Sequence, residues 1–444
     1  MKKRAAISAF FALGALAFAG GVDTKSNQST GYLRNPSRNT ENKRAEAALY
    51  NIAGTAFLND GLYLNLGDQL IFKRYTNELN GEEYVDKSLV YAFPNFEAVY
   101  KSGKLAFFGS FAVYGGGGKI EYNDGSAMTY GLFAKGALTA KAKAETAFAN
   151  YQTEQDATKK LKFAASAQKY KEVATALQSA MTDHELSVYS AVFGEQLGIG
   201  FDINEKIGVG ACVRILQGQQ DITLSSSNAA FESVNGGSDL GYRSRAWGYA
   251  FVVGVHGKPI DGVDLSAQYQ TKASLSYEYT RVDGDLASLL GYEKGDKYSS
   301  DLPAVLNLGA GYQALDNLYT SASFNLYFDK DAKRSGNGAS LEYNNSWEIA
   351  LGAEYQLTDA IAVSLGGLFN RTGSTSSANN IVNPALDCMS VGTGAEIEMV
   401  KNFWLEAGFM YSYYREKDYD MSGYDVTLNK RVPFMSLGIS WKPF

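Results

Sequence analysis

Two histidines, His184 and His256, are the residues best suited to acid–base chemistry or metal binding, but their spacing matches no metal site. The chain has no G-x-S-x-G nucleophile elbow, and the run Gly115–Gly118 continues with Lys119-Ile120, which is the wrong continuation for a phosphate-binding loop. His256 could serve as a base beside a serine, yet a hydrogen-bonded histidine in a polar interior is the better interpretation. We therefore expect no enzyme activity, no cofactor and no metal site.

Two basic residues, Arg214 and Lys272, could instead hold a ligand that carries a carboxylate. Both fall on strand faces that alternation directs toward an interior, where Arg or Lys would bind a carboxylate within an apolar pocket. Phe108 lies on an apolar face of the third predicted strand, which suits either an oily ligand path or the packing of a plug. The alternative for the two cations is pairing with interior carboxylates, namely Glu278, Glu348, Glu354 and Glu396.

These residues belong to segments in which apolar and polar side chains alternate with a period of two. The alternation is clearest in residues 263–279, 318–328 and 347–357, and it predicts strands longer than the roughly 5–6 residues usual in soluble sheets. About 9–11 residues cross a bilayer at a tilt. The pattern therefore predicts transmembrane strands with an apolar face toward lipid and a polar face toward a lumen.

Marking every such segment predicts about 14 strands, an even number as bacterial barrels require. Their approximate starts are Gly61, Leu89, Lys104, Val188, Lys206, Arg243, Gly262, Leu302, Asn317, Asn344, Ala360, Cys388, Asn402 and Arg431. Short connections alternate with long ones, which lie near residues 75–88, 116–187, 219–242, 280–300, 329–343, 372–387 and 416–429. Short periplasmic turns and long outer loops are typical of outer-membrane proteins, so we predict an all-β fold, a transmembrane antiparallel β-barrel.

The composition agrees with export to a membrane. Lys2, Lys3 and Arg4 precede an apolar stretch that ends in Ala17-Phe18-Ala19, which is the pattern of a cleaved signal peptide over residues 1–20. The chain has 30 Tyr, 24 Phe and 46 Gly against 7 Pro, which suits long strands with aromatic girdles. The formal charge of −6 becomes −9 without the three leading cations, which argues against a nucleic-acid partner. We expect the mature chain in the outer membrane of a Gram-negative cell.

Two segments outside the strands have a different character. Residues 21–58 show no strand pattern, and they either plug the lumen as a hatch or form a disordered tail. Residues 139–187 lack Gly and Pro and are rich in Ala, Lys, Glu and Gln, which predicts one or two helices that include His184. Tyr170 and Leu177 belong to an apolar stripe on them. The stripe either packs the loop onto the barrel rim or captures apolar ligands at the outer surface.

Several short motifs follow one another along the mature chain. They are Asn51-Ile52-Ala53-Gly54, Asn59-Asp60-Gly61-Leu62, Phe93-Pro94-Asn95, Tyr100, Gly115–Gly118, Tyr122, Leu302-Pro303, Gly309–Tyr312 and Gly352–Tyr355. In this order and spacing they resemble the FadL-type outer-membrane transporters of long-chain fatty acids and other hydrophobic compounds. Each motif is weak alone, but together they are fairly specific. The resemblance implies a barrel with an N-terminal hatch in its lumen and a strand number that agrees with the count above.

The resemblance also implies roles for particular residues. Asn51, Ile52 and Ala53 would belong to the hatch, although the family has Pro where this chain has Ile52, and Pro would restrict the local backbone. Gly115–Gly118 would lie at a kink of the third strand that opens the barrel wall sideways. A glycine run itself favours a bulge or kink, and the alternative is a flexible start of the following loop.

We therefore predict passive transport of hydrophobic small molecules, above all long-chain fatty acids, by capture on outer loops, passage through a hatch-gated lumen and lateral exit near the third strand. The domains would be a signal peptide (1–20), a hatch (21–58) and a barrel (59–444) that includes a long helical extracellular loop (116–187). A water-filled porin and a surface-adhesion or structural barrel are the alternatives. Besides the hydrophobic ligand, we expect outer-membrane lipid as a partner, and the barrel-assembly machinery through the C-terminal Phe444. The chain is expected to be a monomer.

Overall fold

The structure is a computed structural model of the 444-residue chain. It describes residues 26–237, 239–289, 292–336, 339–340, 342–375, 381–420 and 425–444. The predicted signal peptide, residues 1–20, lies outside the described residues. Within them, no helix combines the length and the apolar character needed to cross a bilayer.

In the described part of the chain, fourteen long strands form one sheet. They are β1 (Gly61–Phe72), β2 (Asn95–Ser102), β3 (Leu105–Tyr122), β4 (Glu185–Asn204), β5 (Ile207–Ser225), β6 (Leu240–Gly257), β7 (Val263–Gln270), β8 (Val305–Leu315), β9 (Leu318–Tyr327), β10 (Ser346–Thr358), β11 (Ile361–Arg371), β12 (Cys388–Val400), β13 (Phe403–Tyr414) and β14 (Asp425–Trp441).

Each strand pairs antiparallel with the next one along the chain. β1 also pairs with β14, from Leu64↔Trp441 to Ile71↔Phe434, which closes the sheet into a barrel. Outward side chains such as Leu197 and Leu437 are apolar and exposed, as a lipid-facing surface requires. The predicted all-β barrel of 14 antiparallel strands is confirmed.

The two ends of the barrel differ in their connections. At the short-turn end the strands are joined by a few residues each, and Gly61 and Phe444 lie there. At the long-loop end, additional short strands extend the wall or pair within the loops. They are Arg74–Leu79, Glu82–Asp86, Leu89–Val90, Ser276–Asp283, Lys297–Ser299, Ser335–Gly336, Ala339–Ser340 and Lys417–Asp420. Several predicted loops are therefore partly strand, and β3 runs beyond the predicted loop start at residue 116 to Tyr122.

The seventh strand departs from its predicted alternation. β7 ends at Gln270, and pairing with β6 resumes only at Ser276–Asp283. The inward face changes across this break, because Tyr277 is buried whereas Lys272 and Glu278 are exposed. The prediction that Lys272 and Glu278 face the interior is therefore wrong. When an odd number of residues is left out of the strand pairing, the inward and outward faces of the strand are exchanged. The alternation in the sequence cannot show where this happens.

Residues 26–58 fill the lumen as short helices joined by turns. The helices are α1 (Thr30–Arg34), α2 (Ala47–Tyr50) and a 3-10 helix (Ile52–Phe57). α1 begins at the hydroxyl of Ser29, which accepts the N–H of Tyr32. Almost every residue of the segment is buried inside the barrel. This part of the chain is therefore a hatch, as one of the two predicted alternatives had it, and not a disordered tail.

The long connection after β3 contains two antiparallel helices, α3 (Ala127–Thr153) and α4 (Ala157–Ser179), which we call the arm. Ser126 and Thr129 form a capping box at the start of α3. Asp156 caps α4, because its side chain accepts two backbone N–H groups of the first turn. The other helices of the connections are α5 (Ala229–Val234), α6 (Leu286–Leu289) and the 3-10 helices Ala180–Thr182 and Asp329–Asp331. The predicted helical insertion is confirmed.

Small side chains allow α3 and α4 to approach each other closely. A Cβ atom on Gly136 would lie 2.9 Å from Leu177 Cδ1, so the contact favours glycine despite its low helix propensity. Because the prediction relied on the absence of glycine, it placed the helix start at residue 139 instead of Ala127. Leu177 is buried, and Tyr170 is half-buried beneath the Lys143 ammonium. At Leu177, the predicted apolar stripe therefore packs α4 against α3.

His184 follows the 3-10 helix Ala180–Thr182 and is not inside the predicted loop helix. It ties the arm to the start of β4, because Nε2 lies 2.6 Å from Thr129 Oγ1 and Nδ1 lies 2.8 Å from the Ala180 carbonyl. Burial holds the pKa of His184 below its ordinary value of 6.5, against the opposing effects of the Ala180 carbonyl and Asp183. The imidazole of His184 at the base of the folded arm is therefore neutral.

We expect the base of the arm to lose stability as the pH falls. The unfolded segment takes up a proton near pH 6.5, whereas the folded segment does so only at a lower pH. Stability is therefore full above about pH 6.5 and is lost below it. Amide exchange over residues 127–184, corrected for intrinsic rates, should be faster at about pH 5.5 than at about pH 7.5. His184→Gln should remove this difference, and a difference that persists in the variant would contradict the assignment.

Candidate functional site

Arginines of the hatch form ion pairs with the inner wall of the barrel. The Arg34 guanidinium lies 3.3 Å from a carboxylate oxygen of Glu354, 3.8 Å from one of Glu396 and 3.9 Å from one of Glu406. Arg44 pairs with Glu396 at 2.5 Å. The partners of these wall carboxylates are hatch arginines, which the sequence analysis did not single out. Because the loss of one partner from a buried ion pair costs about 3–5 kcal/mol, these contacts hold the hatch against the wall.

The predicted hatch residues Asn51, Ile52 and Ala53 are buried beside the wall near the short-turn end. The Asn51 amide donates to Nδ1 of His256 at 2.8 Å, and the other ring nitrogen, Nε2, lies 2.9 Å from Asp264 Oδ1. His256 is thus a hydrogen-bonded lumen histidine that joins hatch and wall, in line with the favoured sequence interpretation. Among the described residues, no cluster of His, Cys, Asp or Glu is arranged to hold a metal ion.

Ile52 occupies the position at which the family resemblance places Pro. Its backbone N–H donates to the side-chain oxygen of Gln268, 3.0 Å away on β7. Pro has no N–H and could not form this bond. The chain therefore attaches this part of the hatch to the wall through a hydrogen bond that the family residue would not allow.

A cavity of about 70 Å³ lies between the hatch and the wall. Its lining combines residues of the hatch, of the wall strands and of the connection before β8. They are Ser26, Gln28, Tyr32, Asn39, Leu49, Tyr50, Tyr114, Arg214, Gln268, Gln270, Leu302, Pro303, Val305, Asn307, Asn325 and Tyr327. Among these residues Arg214 is the only one that is charged at neutral pH. The remainder presents aliphatic side chains, tyrosines and neutral amides, which suits an amphipathic ligand.

Arg214 reaches the cavity from β5 and is only 4% exposed. Two of its nitrogens donate to Gln196 Oε1 at 3.1 and 2.8 Å, and the third donates to Gln270 Oε1. The guanidinium also lies over Tyr114, with 3.8 Å between Cζ and the ring centroid. Within the described part of the chain, Arg214 has no carboxylate partner. A buried cation that meets only neutral groups favours an anionic ligand, because an uncompensated buried charge is costly.

Lys272, the second predicted cation, lies outside this cavity. Its side chain is 40% exposed, and its ammonium is 3.7 Å from Asp301 Oδ2. It also donates to the carbonyl of Asp331 at 3.2 Å. Lys272 therefore belongs to the loop structure beyond the end of β7, and Arg214 alone of the predicted pair reaches the candidate site.

The predicted apolar ligand residues also lie away from the cavity lining. Phe108 is buried beneath the hatch in an apolar cluster that includes Ile52 and Cys212. This position favours hatch packing, which was the alternative interpretation of the third strand. Tyr170 and Leu177 lie in the arm. Sequence reasoning missed Tyr114 as a site residue, although it is the last inward-facing residue before the glycine run.

The third strand loses its regular register in the glycine run. The paired residues are Val113↔Phe193, Gly115↔Val192 and Gly118↔Ser190, so five steps along β3 oppose three along β4. Gly116 and Gly118 have φ angles of +79° and +71°, a region that residues with a side chain rarely adopt. One β-bulge therefore lies between Val113 and Gly115 and a second between Gly115 and Gly118, and such bulges bend a strand and increase its twist.

On its other side, β3 stops pairing with β2 at Phe96↔Phe111. Beyond the glycine run, the connection between β1 and β2 contacts β3 at Lys119, whose carbonyl accepts from the Lys73 ammonium at 2.6 Å and from the Ser88 hydroxyl at 2.7 Å. Between these points, no ladder pair joins the described residues of β3 to this neighbour. The glycine run therefore lies beside a stretch of wall that lacks sheet pairing, and Tyr114 connects it to Arg214.

Comparison with known proteins places these features in a family. The family model described as outer membrane protein transport protein (OMPP1/FadL/TodX) matches residues 123–438. No match was found among curated protein sequences.

Several solved structures share the whole architecture at low identity. A Pseudomonas aeruginosa FadL homologue aligns with a TM-score of 0.65 and 16% identity over 96% of this chain and 99% of that one. The Pseudomonas putida toluene transporter TodX gives 0.60 and 16% over 97% and 98%. The Ralstonia pickettii toluene transporter TbuX gives 0.55 and 14% over 92% and 98%. At these identities the structural likeness shows the fold alone.

Proposed function

The chain belongs to the outer membrane transport protein family OMPP1/FadL/TodX, and from this premise we propose that it carries long-chain fatty acids passively across the outer membrane. Family membership makes it a transport protein and not an enzyme. It also favours transport over a purely adhesive or structural barrel. A general porin is disfavoured because residues 26–58 fill the lumen, whereas a porin keeps a water-filled channel.

We infer the class of ligand from the buried guanidinium of Arg214. It lines the cavity with neutral partners, so a ligand carboxylate would supply the missing negative charge. The aliphatic and aromatic lining would contact the hydrocarbon part of the same ligand. A molecule with one carboxylate and a long apolar chain satisfies both requirements.

The size of the cavity supports gating by the hatch. It measures about 70 Å³, whereas an apolar cavity that holds benzene measures about 150 Å³. A long-chain fatty acid is larger still, so residues 26–58 must move before it can be bound. A conduit must also release what it binds, and we therefore expect modest affinity.

The contacts of Arg214 connect the ligand site to the hatch and to the wall. Gln196, which accepts from Arg214, also donates to the Ala48 carbonyl of the hatch. Tyr114, over which Arg214 lies, directly precedes Gly115–Gly118. A carboxylate that competes for Arg214 would weaken both contacts at once. We infer that the ligand then leaves sideways, through the unpaired stretch beside the glycine run, into the outer leaflet.

We further propose the division into a signal peptide (1–20), a hatch (21–58) and a barrel (59–444), which acts as a monomer. The C-terminal Phe444 would be recognised by the barrel-assembly machinery. Its side chain is 66% exposed, while its carbonyl accepts from the Leu62 N–H at 3.2 Å. The residue is therefore both ordered against β1 and accessible.

We expect Arg214→Met to weaken fatty-acid binding by about 10- to 100-fold. The variant removes charge-assisted hydrogen bonds worth about 1.5–3 kcal/mol, and each 1.4 kcal/mol is about tenfold in affinity. The methyl ester of the same acid carries no charge, so its affinity should change by less than about twofold. The measurement is titration of a fluorescent fatty acid and of its ester into the purified protein in mild detergent.

Lys272→Met is the matched control, because its ammonium lies outside the cavity, and it should leave both affinities unchanged. Unchanged affinity for the acid in Arg214→Met would overturn carboxylate recognition by this residue. An equal loss of acid and ester would also count against it, since the variant would then have damaged the site as a whole.

A further inference from the structure

The arm carries a positive charge that is unusual for this chain. Between residues 127 and 179 it contains eight lysines and four acidic residues, an excess of four positive charges in a chain whose formal charge is −6. The lysines are Lys135, Lys141, Lys143, Lys159, Lys160, Lys162, Lys169 and Lys171. The arm thus has a net positive charge within a chain that is negative overall.

Three of the four acidic residues of the arm accept hydrogen bonds from uncharged groups and not from lysine ammonium groups, and one of them is Glu172, which accepts from the Gln168 amide. Glu154 accepts the N–H groups of Gln155 and Asp156, and Asp156 accepts those of Thr158 and Lys159. Glu154 thus lies at the end of α3, and Asp156 caps the start of α4. Leaving Lys135 aside, no lysine of the arm forms an ion pair with a described residue. The ammonium groups of the other seven lysines therefore remain available to an external anion.

The tip of the arm combines this charge with exposed apolar groups. Phe148 is 46% exposed and Leu161 is 72% exposed, near the turn between the helices. Lys171 lies over the Phe148 ring at 5.8 Å, and Lys160 lies over Tyr151 at 5.1 Å. Apolar side chains interleaved with lysines are typical of surfaces that bind anionic lipid interfaces.

The arm is fixed at its base and long enough to extend beyond the barrel rim. At the base, the Ala127 N–H donates to Asn77 Oδ1 at 2.7 Å, and His184 contacts Thr129. α3 has 27 residues, which corresponds to a length of about 40 Å. The tip can therefore lie over the membrane surface next to the barrel.

We propose that the arm docks through its lysine-rich tip on the phosphate-bearing lipid headgroups of the outer leaflet around the barrel. Charge complementarity selects this partner, because a phosphate-bearing leaflet is a diffuse polyanionic surface. The cations of the arm are lysines, which bind phosphates as point charges, and it contains no arginine for bidentate recognition of one group. The exposed Phe148 and Leu161 would enter the headgroup region beside them. The arm would thus orient the long-loop end against the membrane.

The test uses the full chain in lipid nanodiscs with an environment-sensitive fluorophore on Gln155→Cys, in the turn between α3 and α4. The native Cys212 and Cys388 are buried and should not react. We expect a blue shift of the emission in phosphatidylglycerol nanodiscs relative to phosphatidylcholine nanodiscs. High salt should reduce the shift, because it screens exposed charges.

The triple variant Lys159→Glu, Lys160→Glu, Lys162→Glu should abolish this shift. These positions lie in the first turns of α4, where acidic residues favour the helix, so the arm should remain folded. Lys104→Glu, Lys206→Glu, Lys401→Glu makes the same charge change at the short-turn end and should retain the shift. An emission that does not depend on lipid charge, or a full shift in the tip variant, would overturn the proposal.

Discussion

Fatty-acid uptake should stop when a disulfide joins residue 35 of the hatch to residue 352 of β10, and it should resume on reduction. A Cβ atom on Gly352 would lie 2.4 Å from Asn35 Cγ. The two Cβ atoms of an Asn35→Cys, Gly352→Cys pair therefore lie no more than about 4 Å apart, which is close enough for a disulfide, whose Cβ atoms are separated by about 3.5–4.5 Å. The bond would fix the segment that follows α1 to the wall and prevent the movement that the small cavity requires.

The expected loss of uptake is large because the disulfide between residues 35 and 352 is covalent. The ion pairs of Arg34 and Arg44 can break and re-form during transport, whereas the disulfide cannot, so the oxidised variant should lose uptake by at least about tenfold. Cys212 and Cys388 form no disulfide and are replaced by Ala in the variant and its controls. The measurement is uptake of radiolabelled fatty acid by cells before and after reductant.

The single variant Asn35→Cys controls for the loss of the Asn35 side chain, which accepts the Ser37 N–H at 2.9 Å. It should take up ligand equally well with and without reductant. Mass spectrometry establishes that the disulfide has formed in the double variant. If that oxidised protein still transports at the unmodified rate, the hatch does not gate the passage.

The barrel could be predicted because its strands obey a local rule. Alternation along the chain placed the starts of the first and twelfth strands at Gly61 and Cys388, where the structure has them. The same rule failed at Lys272, since a break in the ladder changes the inward face without any change in the sequence period. It also failed where strands continue into the loops, because their faces there pack against other loops and not against lipid.

The contacts that hold the hatch could not be predicted in the same way. Arg34 and Arg44 lie in a polar segment without periodicity, and their partners Glu354, Glu396 and Glu406 are more than 300 residues away in sequence. Such pairs depend on the closed barrel and not on local pattern. The family resemblance identified Asn51–Ala53 as hatch residues. It could not show that Ile52, which stands where the family has Pro, uses its N–H for a hydrogen bond to the wall.

Deletion of Gly116 and Gly117 should straighten β3 and reduce fatty-acid uptake by about tenfold or more. Between Val113 and Gly118, five steps on β3 oppose three steps on β4. The deletion leaves three steps on each strand, so the two bulges are no longer required and regular pairing becomes available. Without the bend, β3 can also extend its ladder along the segment that precedes β2, which would close the unpaired stretch of wall.

Binding and uptake must be measured separately in this variant, because the deletion acts on exit. The purified protein should bind the fluorescent fatty acid with an affinity close to that of the unmodified chain, since Arg214 remains in place. Deletion of Gly236 and Gly237, in the connection between β5 and β6, removes the same number of glycines away from β3 and should leave uptake unchanged. Heat-dependent gel mobility reports whether each barrel is folded. Normal uptake by a folded Gly116–Gly117 deletion variant would exclude exit beside β3 and would favour passage past the hatch to the short-turn end.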